Sequence, residues 1–182
     1  MERNTDHLEK IFVIGSNSFS GASFVDYALA RGHEVIGASR SVEPSPAFLP
    51  YKWNRSRAAV TKFQFQQLDL NHDLDRALKI IGEFQPPYIV NFAAQSMVAE
   101  SWLYPDQWYV TNVVANVRLH EKLRQFGFLK KYVHVSTPEV YGSCSGNVTE
   151  AAPFNPSTPY AASRAACDLH LLTFFKNYQF PV

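Results

Sequence analysis

Tyr160 and Arg164 stand four residues apart at the start of YAASRAACDLHLLTFFKNY, a run whose composition predicts a helix with Pro159 near its first position. Four residues are about one helical turn, so the phenol and the guanidinium share a face, and the cation can act on the phenol. At an effective dielectric of about 20, a cation ~4 Å from a phenolate is worth roughly 4 kcal/mol. That is about the free energy a phenol needs to lose its proton near neutrality, so an active tyrosinate is electrostatically permitted. Upstream, VHVSTPEVYG sets the hydroxyls of Ser136 and Thr137 and the carboxylate of Glu139 at the end of a short apolar run. In an open parallel sheet that edge is where ligands bind.

A second group of residues suits a phosphate. The run KIFVI, residues 10 to 14, is followed by GSNSFSG, in which Gly15, Ser18 and Gly21 occupy the spacing G-x-x-G-x-x-G, and then by ASFVDYALARG. A strand, a small turn and a helix in that order present free N–H groups and the positive end of a helix dipole to an anion. Ser18 takes the middle position, where its hydroxyl can donate to a phosphate oxygen. Beyond the next short strand, HEVIGAS, the chain continues Ser39, Arg40, Ser41 without a carboxylate. An acidic residue at this place takes ribose hydroxyls and a cation accepts a 2′-phosphate, so Arg40 favours NADP over NAD. Glu43 lies close by, and a plain solvated Arg40 is the alternative.

The elements that must position these groups alternate. Phe24, Ala28 and Leu29 recur at helical spacing before Gly32, which reads as a left-handed cap. Residues 42 to 60 hold prolines without a clean period and read as mostly loop. KFQFQQLDL has the period of a strand, DLDRALKIIGEF is an amphipathic helix closed by Pro86 and Pro87, and PYIVNFAA is a fourth strand. A long helix is predicted from about Pro105 to Phe126, with Gly127 as its stop, and KKYVHVS is a fifth strand. Strand and helix alternate throughout, which predicts an α/β fold with a doubly wound parallel sheet, helices covering both faces. The final QFPV reads as a loop entering a sixth strand, which implies a longer polypeptide whose remaining part would bind substrate.

Composition narrows the function classes. Across 182 residues, Lys+Arg 17 against Asp+Glu 16 gives a net charge of +1, which disfavours a dedicated nucleic-acid or membrane-surface protein. The two cysteines, Cys144 and Cys167, cannot build a disulfide framework or fill a zinc site. They read as reduced thiols of a cytoplasmic protein, Cys144 an inert one without a neighbouring cation. His7, His33, His72, His120, His134 and His170 have no ligand-like spacing, and read as surface or satisfied core residues, with no metal required. Trp102, Trp108 and Tyr109 fall on the long helix as packing or subunit contacts. The opening MERNTDHLEK lacks the apolar core of a signal peptide, and no apolar run approaches a membrane span.

Taken in order, the glycine turn, Asp69-Leu70, NFAAQS at 91 to 96, STPEVYG at 136 to 142 and PFNPSTPYAASRAA from Pro153 resemble the extended short-chain dehydrogenase/reductases. The resemblance runs from Ile11 to the last residue, and is strongest to the nucleotide-sugar 4,6-dehydratases and epimerases. Among these it is nearest the branches acting on GDP-mannose and dTDP-glucose, with the basic end of the second strand leaning to the former.

That resemblance implies a cofactor site formed by Gly15, Ser18, Phe19, Ser20, Gly21, Arg40 and Ser41. Asp69 and Leu70 would contact the adenine, Phe92, Ala93 and Ala94 would line the pyrophosphate and nicotinamide ribose, and Ser96 and Ser101 would face the substrate. Tyr160 would remove the proton of the sugar C4 hydroxyl, Thr137 would hydrogen-bond that hydroxyl, Arg164 would replace the family lysine beside the cofactor, and Glu139 would take the C5 proton. Pro138 stands where some dehydratases carry an aspartic acid, and Met97 where a histidine is frequent. Pro138 cannot donate a proton, so a 4-epimerase or 4-keto reductase remains an alternative, and a noncatalytic dinucleotide-binding remnant is a third. The fourth and fifth helices of the family commonly form a homodimer, which here would also use Leu171, Leu172, Phe174 and Phe175.

Overall fold

The computed structural model describes residues 8–53 and 61–182. His7 and residues 54–60, the end of the predicted loop, lie outside the described residues. Two compact units emerge, Met1–Ala93 with Phe126–Val133, and Ala94–Gln125 with His134–Val182.

The first unit is built on the sheet. Its strands are β1 (Lys10–Ile14), β2 (Glu34–Ser39), β3 (Phe63–Gln67), β4 (Tyr88–Asn91) and β5 (Lys131–His134), in the order β3-β2-β1-β4-β5. β1 pairs in parallel with both β2 and β4, Ile11 lying opposite Val35 and Tyr88, and β2 pairs in parallel with β3. The order reverses at β1, which is the place where such a sheet opens a crevice for a ligand.

Every residue of β1 after Lys10 is buried, as expected for a central parallel strand covered on both faces. Helix α1 (Phe19–Ala30) packs Ala22, Val25, Ala28 and Leu29 into that core. Complete burial of a side chain such as Val25 stabilises the fold by about 1.5–3 kcal/mol. The helix ends where Gly32 adopts φ 84°. Helix α2 (Leu74–Phe84) buries Ala77, Ile81 and Phe84, and it stops at Gln85, which takes φ 52° ahead of the two prolines. Between β2 and β3 the predicted loop contains two short 3-10 turns, Pro46–Phe48 and Pro50–Lys52. They are anchored by Leu49 and Tyr51, both buried in the core.

The second unit is helical. It contains α3 (Val98–Leu103), α4 (Pro105–Tyr109), a wide π-helical turn at Val110–Val114, α5 (Ala115–Leu123) and α6 (Pro159–Tyr178). The predicted helix from Pro105 to Phe126 is therefore shorter, ending at Leu123, and is interrupted by the wide turn. Asn116 explains the interruption, because its side-chain Nδ2 donates to the carbonyls of Thr111 at 3.2 Å and Asn112 at 3.1 Å. An amide inserted in this way satisfies carbonyls that the regular ladder would have used. Trp102 belongs to the separate helix α3 rather than to the long one. Helix α6 starts as predicted at Pro159, and Thr158 caps it through Oγ1, which accepts the Ala161 N–H at 3.0 Å.

Candidate active site

In the first unit, the chain turns sharply after β1. Gly15 has φ 81°, and a Cβ there would lie 2.6 Å from the Ala93 nitrogen. A Cβ on Gly21 would lie 2.2 Å from the Gly15 carbonyl oxygen. Both glycines are thus required by close backbone approach, the first also by its left-handed conformation. Ala93 is held in place by donating to Asn91 Oδ1 at 2.9 Å, while Asn91 Nδ2 donates to the Tyr132 hydroxyl at 2.9 Å. Phe92 stays half-buried, its ring 5.7 Å from that of Phe24.

Ser18 differs from the sequence expectation. Its hydroxyl donates to the Gly15 carbonyl at 2.8 Å and accepts the Gly21 N–H at 3.0 Å, which makes it the N-cap of α1. The hydrogen expected to meet a phosphate is spent inside the turn. The amides of Phe19 and Ser20, in the first turn of α1, have no acceptor within a helix and remain suited to an anion. The cradle therefore fits a dinucleotide pyrophosphate through backbone groups.

Arg40 and Ser41 are exposed at the end of β2. The Glu43 carboxylate nearby accepts from the Tyr51 hydroxyl at 2.7 Å and pairs with Lys52 Nζ at 2.7 Å. Burial and the Glu43 carboxylate together hold the Tyr51 phenol protonated. Asp69 accepts the Asn71 N–H at 2.9 Å and lies 3.4 Å from His72 Nδ1, shaping the turn after β3 that also carries the half-buried Leu70.

In the second unit, Thr137 caps the 3-10 turn Pro138–Tyr141, its Oγ1 accepting the Glu139 N–H at 3.3 Å. The Glu139 side chain is exposed. Tyr160 is nearly buried, and its carbonyl accepts from Ser163 Oγ at 2.7 Å. Arg164 is 2% exposed, and its guanidinium donates to the Val135 carbonyl just beyond β5. Among the described residues no hydrogen bond joins that guanidinium to the Tyr160 hydroxyl, so the spacing that placed both on one helical face did not fix the direction of the longer side chain. Ala94 is half-buried and Ser96 exposed. Ser101 is fully buried, with its hydroxyl donating to the Val98 carbonyl at 2.6 Å within α3.

Three further residues complete this cluster without having been singled out in the sequence. Asn112, at the centre of the wide turn, accepts the Gln95 N–H through Oδ1 at 2.8 Å and donates through Nδ2 to the Gln95 carbonyl at 3.0 Å and to Ser163 Oγ at 2.9 Å. Ser163 then donates to Tyr160, so one buried network joins the segment after β4 to the start of α6. Asp168 accepts from Ser136 Oγ. Burial raises its carboxyl above the usual range, while the Ser136 hydrogen bond and the Arg164 charge pull it back. Its spacing was the available signal, one helical turn beyond Arg164 as Arg164 is beyond Tyr160. A cleft of about 290 Å³ opens between Ser136, Thr137, Tyr141, Phe154 and Asp168.

The histidines read as unremarkable in sequence include a buried group. The His120 and His170 rings stack with centroids 5.5 Å apart, and His134 stands edge-on to His120 at 6.3 Å. Burial lowers His120 to about 2 and His134 to about 3, and also lowers His170. Cys144 is exposed, whereas Cys167 is buried and its thiol pushed up to about 12 by desolvation. Among the described residues no group of His, Cys, Asp or Glu could hold a metal ion, and no helix is long and apolar enough to cross a membrane.

Comparison with known proteins places this geometry. The family described as GDP-mannose 4,6 dehydratase matches residues 12–182. The dTDP-glucose 4,6-dehydratase of Xanthomonas campestris pv. campestris is 33% identical over 183 residues, covering 93% of this chain and 50% of that protein. Among solved structures, dTDP-glucose 4,6-dehydratase from Streptomyces venezuelae, which holds NAD, superposes with a TM-score of 0.79 at 30% identity, covering 94% of this chain and 53% of the other. The Thermus thermophilus UDP-glucose 4-epimerase complex with NAD gives 0.78 at 28% identity, covering 94% and 52%. The chain thus spans about half the length of the relatives it matches.

Proposed function

The chain belongs to the GDP-mannose 4,6-dehydratase family, and from that premise we propose that it carries the cofactor-binding and proton-transfer residues of an NADP-dependent nucleotide-sugar 4,6-dehydratase. The observation that carries the reading is Glu139: an exposed carboxylate, two residues after Thr137, on a turn whose first amide Thr137 itself caps. An epimerase has no need of a second proton acceptor there, whereas elimination of water across C5 and C6 does.

The bound nicotinamide supplies a reversible hydride acceptor. The glycine turn holds the pyrophosphate through the amides of Phe19 and Ser20. Tyr160 takes the proton of the sugar C4 hydroxyl, and Thr137 orients that hydroxyl. The resulting C4 ketone acidifies the C5 hydrogen, which Glu139 removes. Pro138 has no proton to give, so Glu139 also returns a proton to the departing C6 hydroxyl. With the hydride taken from C4 returned to C6, and the proton that Tyr160 took from the C4 hydroxyl returned to C5, the product is a 4-keto-6-deoxy sugar, lighter by one water. Arg164 contributes a fixed positive charge behind the strand end rather than the mobile point charge of an ammonium.

NADP is favoured by Arg40 and Ser41 and by the engagement of Glu43 with Tyr51 and Lys52; the solved relatives holding NAD make NAD the alternative. Pro138 favours a second reading, a 4-epimerase or 4-keto reductase of the same family, in which no water leaves. A homodimer is supported by exposed apolar side chains, Tyr109 before the wide turn, Val110 and Val114 within it, and Leu169, Leu172 and Phe175 on α6. Leu171 is buried within the unit and takes no part. The cytoplasm is the compartment where reduced Cys144 and a nucleotide-sugar pool coexist. A screen of GDP-mannose, dTDP-glucose and UDP-glucose with the intact enzyme tests the reading by mass spectrometry. Loss of one water supports the dehydratase, an isobaric product supports the epimerase, and no product from any of them overturns both.

A further inference from the structure

The end of β2 is gripped in a way that bears on cofactor choice. Asn17, the residue before Ser18 in the glycine turn, donates its backbone N–H to Ser39 Oγ at 2.9 Å. Its side-chain Nδ2 donates to the carbonyls of Ser41 and Val42, each at 3.0 Å, and lies 3.5 Å from Ser41 Oγ. The amide can face only one way, since its oxygen in that place would confront two carbonyls and a hydroxyl oxygen. The two residues before are held from the other side. The Ser39 carbonyl accepts the Leu68 N–H at 2.9 Å, and the Arg40 carbonyl accepts from Gln67 Nε2 at 3.1 Å.

Four successive carbonyls, from Ser39 to Val42, are thus committed to donors on the protein. A carbonyl dipole aimed at a phosphate is repulsive, and a segment whose carbonyls are all engaged presents an anion with donors only: the Arg40 guanidinium and the Ser41 hydroxyl. Glu43, the carboxylate next along the same segment, is paired with Lys52 and accepts from the Tyr51 hydroxyl.

We infer that Asn17 is a specificity-determining residue, which turns the Ser41 and Val42 carbonyls away and holds Arg40 and Ser41 ready for the 2′-phosphate of NADP. The inference rests on the NADP reading given above. It assigns the selectivity to a residue of the pyrophosphate turn acting through backbone, in addition to the cation that touches the ligand.

The test uses two fragments of the cofactor, adenosine 2′,5′-bisphosphate and 5′-AMP, titrated calorimetrically into the 182-residue chain. The wild type should bind the bisphosphate at least ~10-fold more tightly than 5′-AMP. In Asn17→Ala this ratio should fall by roughly 5-fold or more, while 5′-AMP affinity changes less than about twofold. Asn17→Asp, which sets a carboxylate against the same carbonyls, should abolish the preference. Asn17→Ser, too short to span both carbonyls, should behave as Asn17→Ala, and a thermal melt confirms that each variant is folded.

A bisphosphate preference unchanged in Asn17→Ala and Asn17→Ser, but lost in Arg40→Ala, overturns the role of Asn17 and leaves the NADP reading standing. A wild type without any preference brings down the NADP reading itself, and the selectivity of Asn17 with it.

Discussion

The glycine turn of the first unit and the Tyr160 helix of the second hold their functional groups by opposite means. The turn is shaped by backbone: Gly15 and Gly21 let main-chain atoms approach to distances a Cβ would forbid, and the Ser18 hydroxyl serves only to close it. The helix start is shaped by polar side chains, with Asn112 and Ser163 tying Tyr160 to Gln95, and Arg164 and Asp168 engaging Val135 and Ser136. A site made of backbone should fail when atoms are added. One made of buried polar side chains should fail when atoms or neutrality are removed.

The largest expected effect follows from neutrality. His120 and His134 are uncharged in the folded protein, and their folded values, about 2 and about 3, lie below the ordinary imidazole range. The unfolded chain therefore binds more protons once the pH falls below about 6.5. The stability that depends on the neutral rings is complete above that pH and is lost as the pH drops through 6 and 5 towards the folded values. Linkage puts the loss at about 1–2 kcal/mol per imidazole by pH 5. The groups facing the cluster do not reverse the sign: Asp168 Oδ1 lies 3.8 Å from His134 Nε2, yet burial and the Arg164 charge still lower His134, and Glu121 only partly offsets the desolvation of His170. Hydrogen exchange at pH 7 and pH 5 should show protection lost in α5 and α6 before β1 and β2. Uniform loss in both units would erase the contrast.

Next in size is an added methyl in the turn. Gly21→Ala should destabilise the first unit by about 2–3 kcal/mol and abolish dinucleotide binding, because the new Cβ must displace the Gly15 carbonyl. Denaturant melts and cofactor titration measure both. Asn112→Ala should cost about 2 kcal/mol, since it removes both partners of the Gln95 backbone and the donor to Ser163 Oγ. Unlike the glycine variant, it should spare 5′-AMP binding. The smallest effect separates the two roles considered for Ser18. Ser18→Ala should cost about 1 kcal/mol as a lost cap, and Ser18→Gly only a few tenths. A variant Ser18→Gly that binds pyrophosphate far more weakly than wild type would restore the direct phosphate contact.

The same contrast explains what could be read from the chain. Strand runs such as KIFVI, the glycine spacing and the cap at Gly32 are local, and they predicted β1, the turn and the end of α1 where the structure has them. The parallel order was legible because the elements alternate. The wide turn at Val110–Val114 was not, since its apolar spacing resembles an ordinary helix and its cause is the side chain of Asn116 reaching back along the ladder. Asn112 and Ser163 were missed for a related reason: their partners are 17 and 51 residues away from Asn112, and nothing in either neighbourhood signals the contact. Arg164 was identified as a site residue, yet its long side chain ends at Val135, a choice that depends on tertiary packing. The histidine group is likewise assembled from α5, α6 and the end of β5.

Whether Glu139 takes the C5 proton, as proposed, is decided by Glu139→Gln in the intact enzyme supplied with NADP and the nucleotide sugar it accepts. The variant should bind the cofactor as the wild type does and form no product lighter by one water. Formation of that product at the wild-type rate would contradict that role for Glu139.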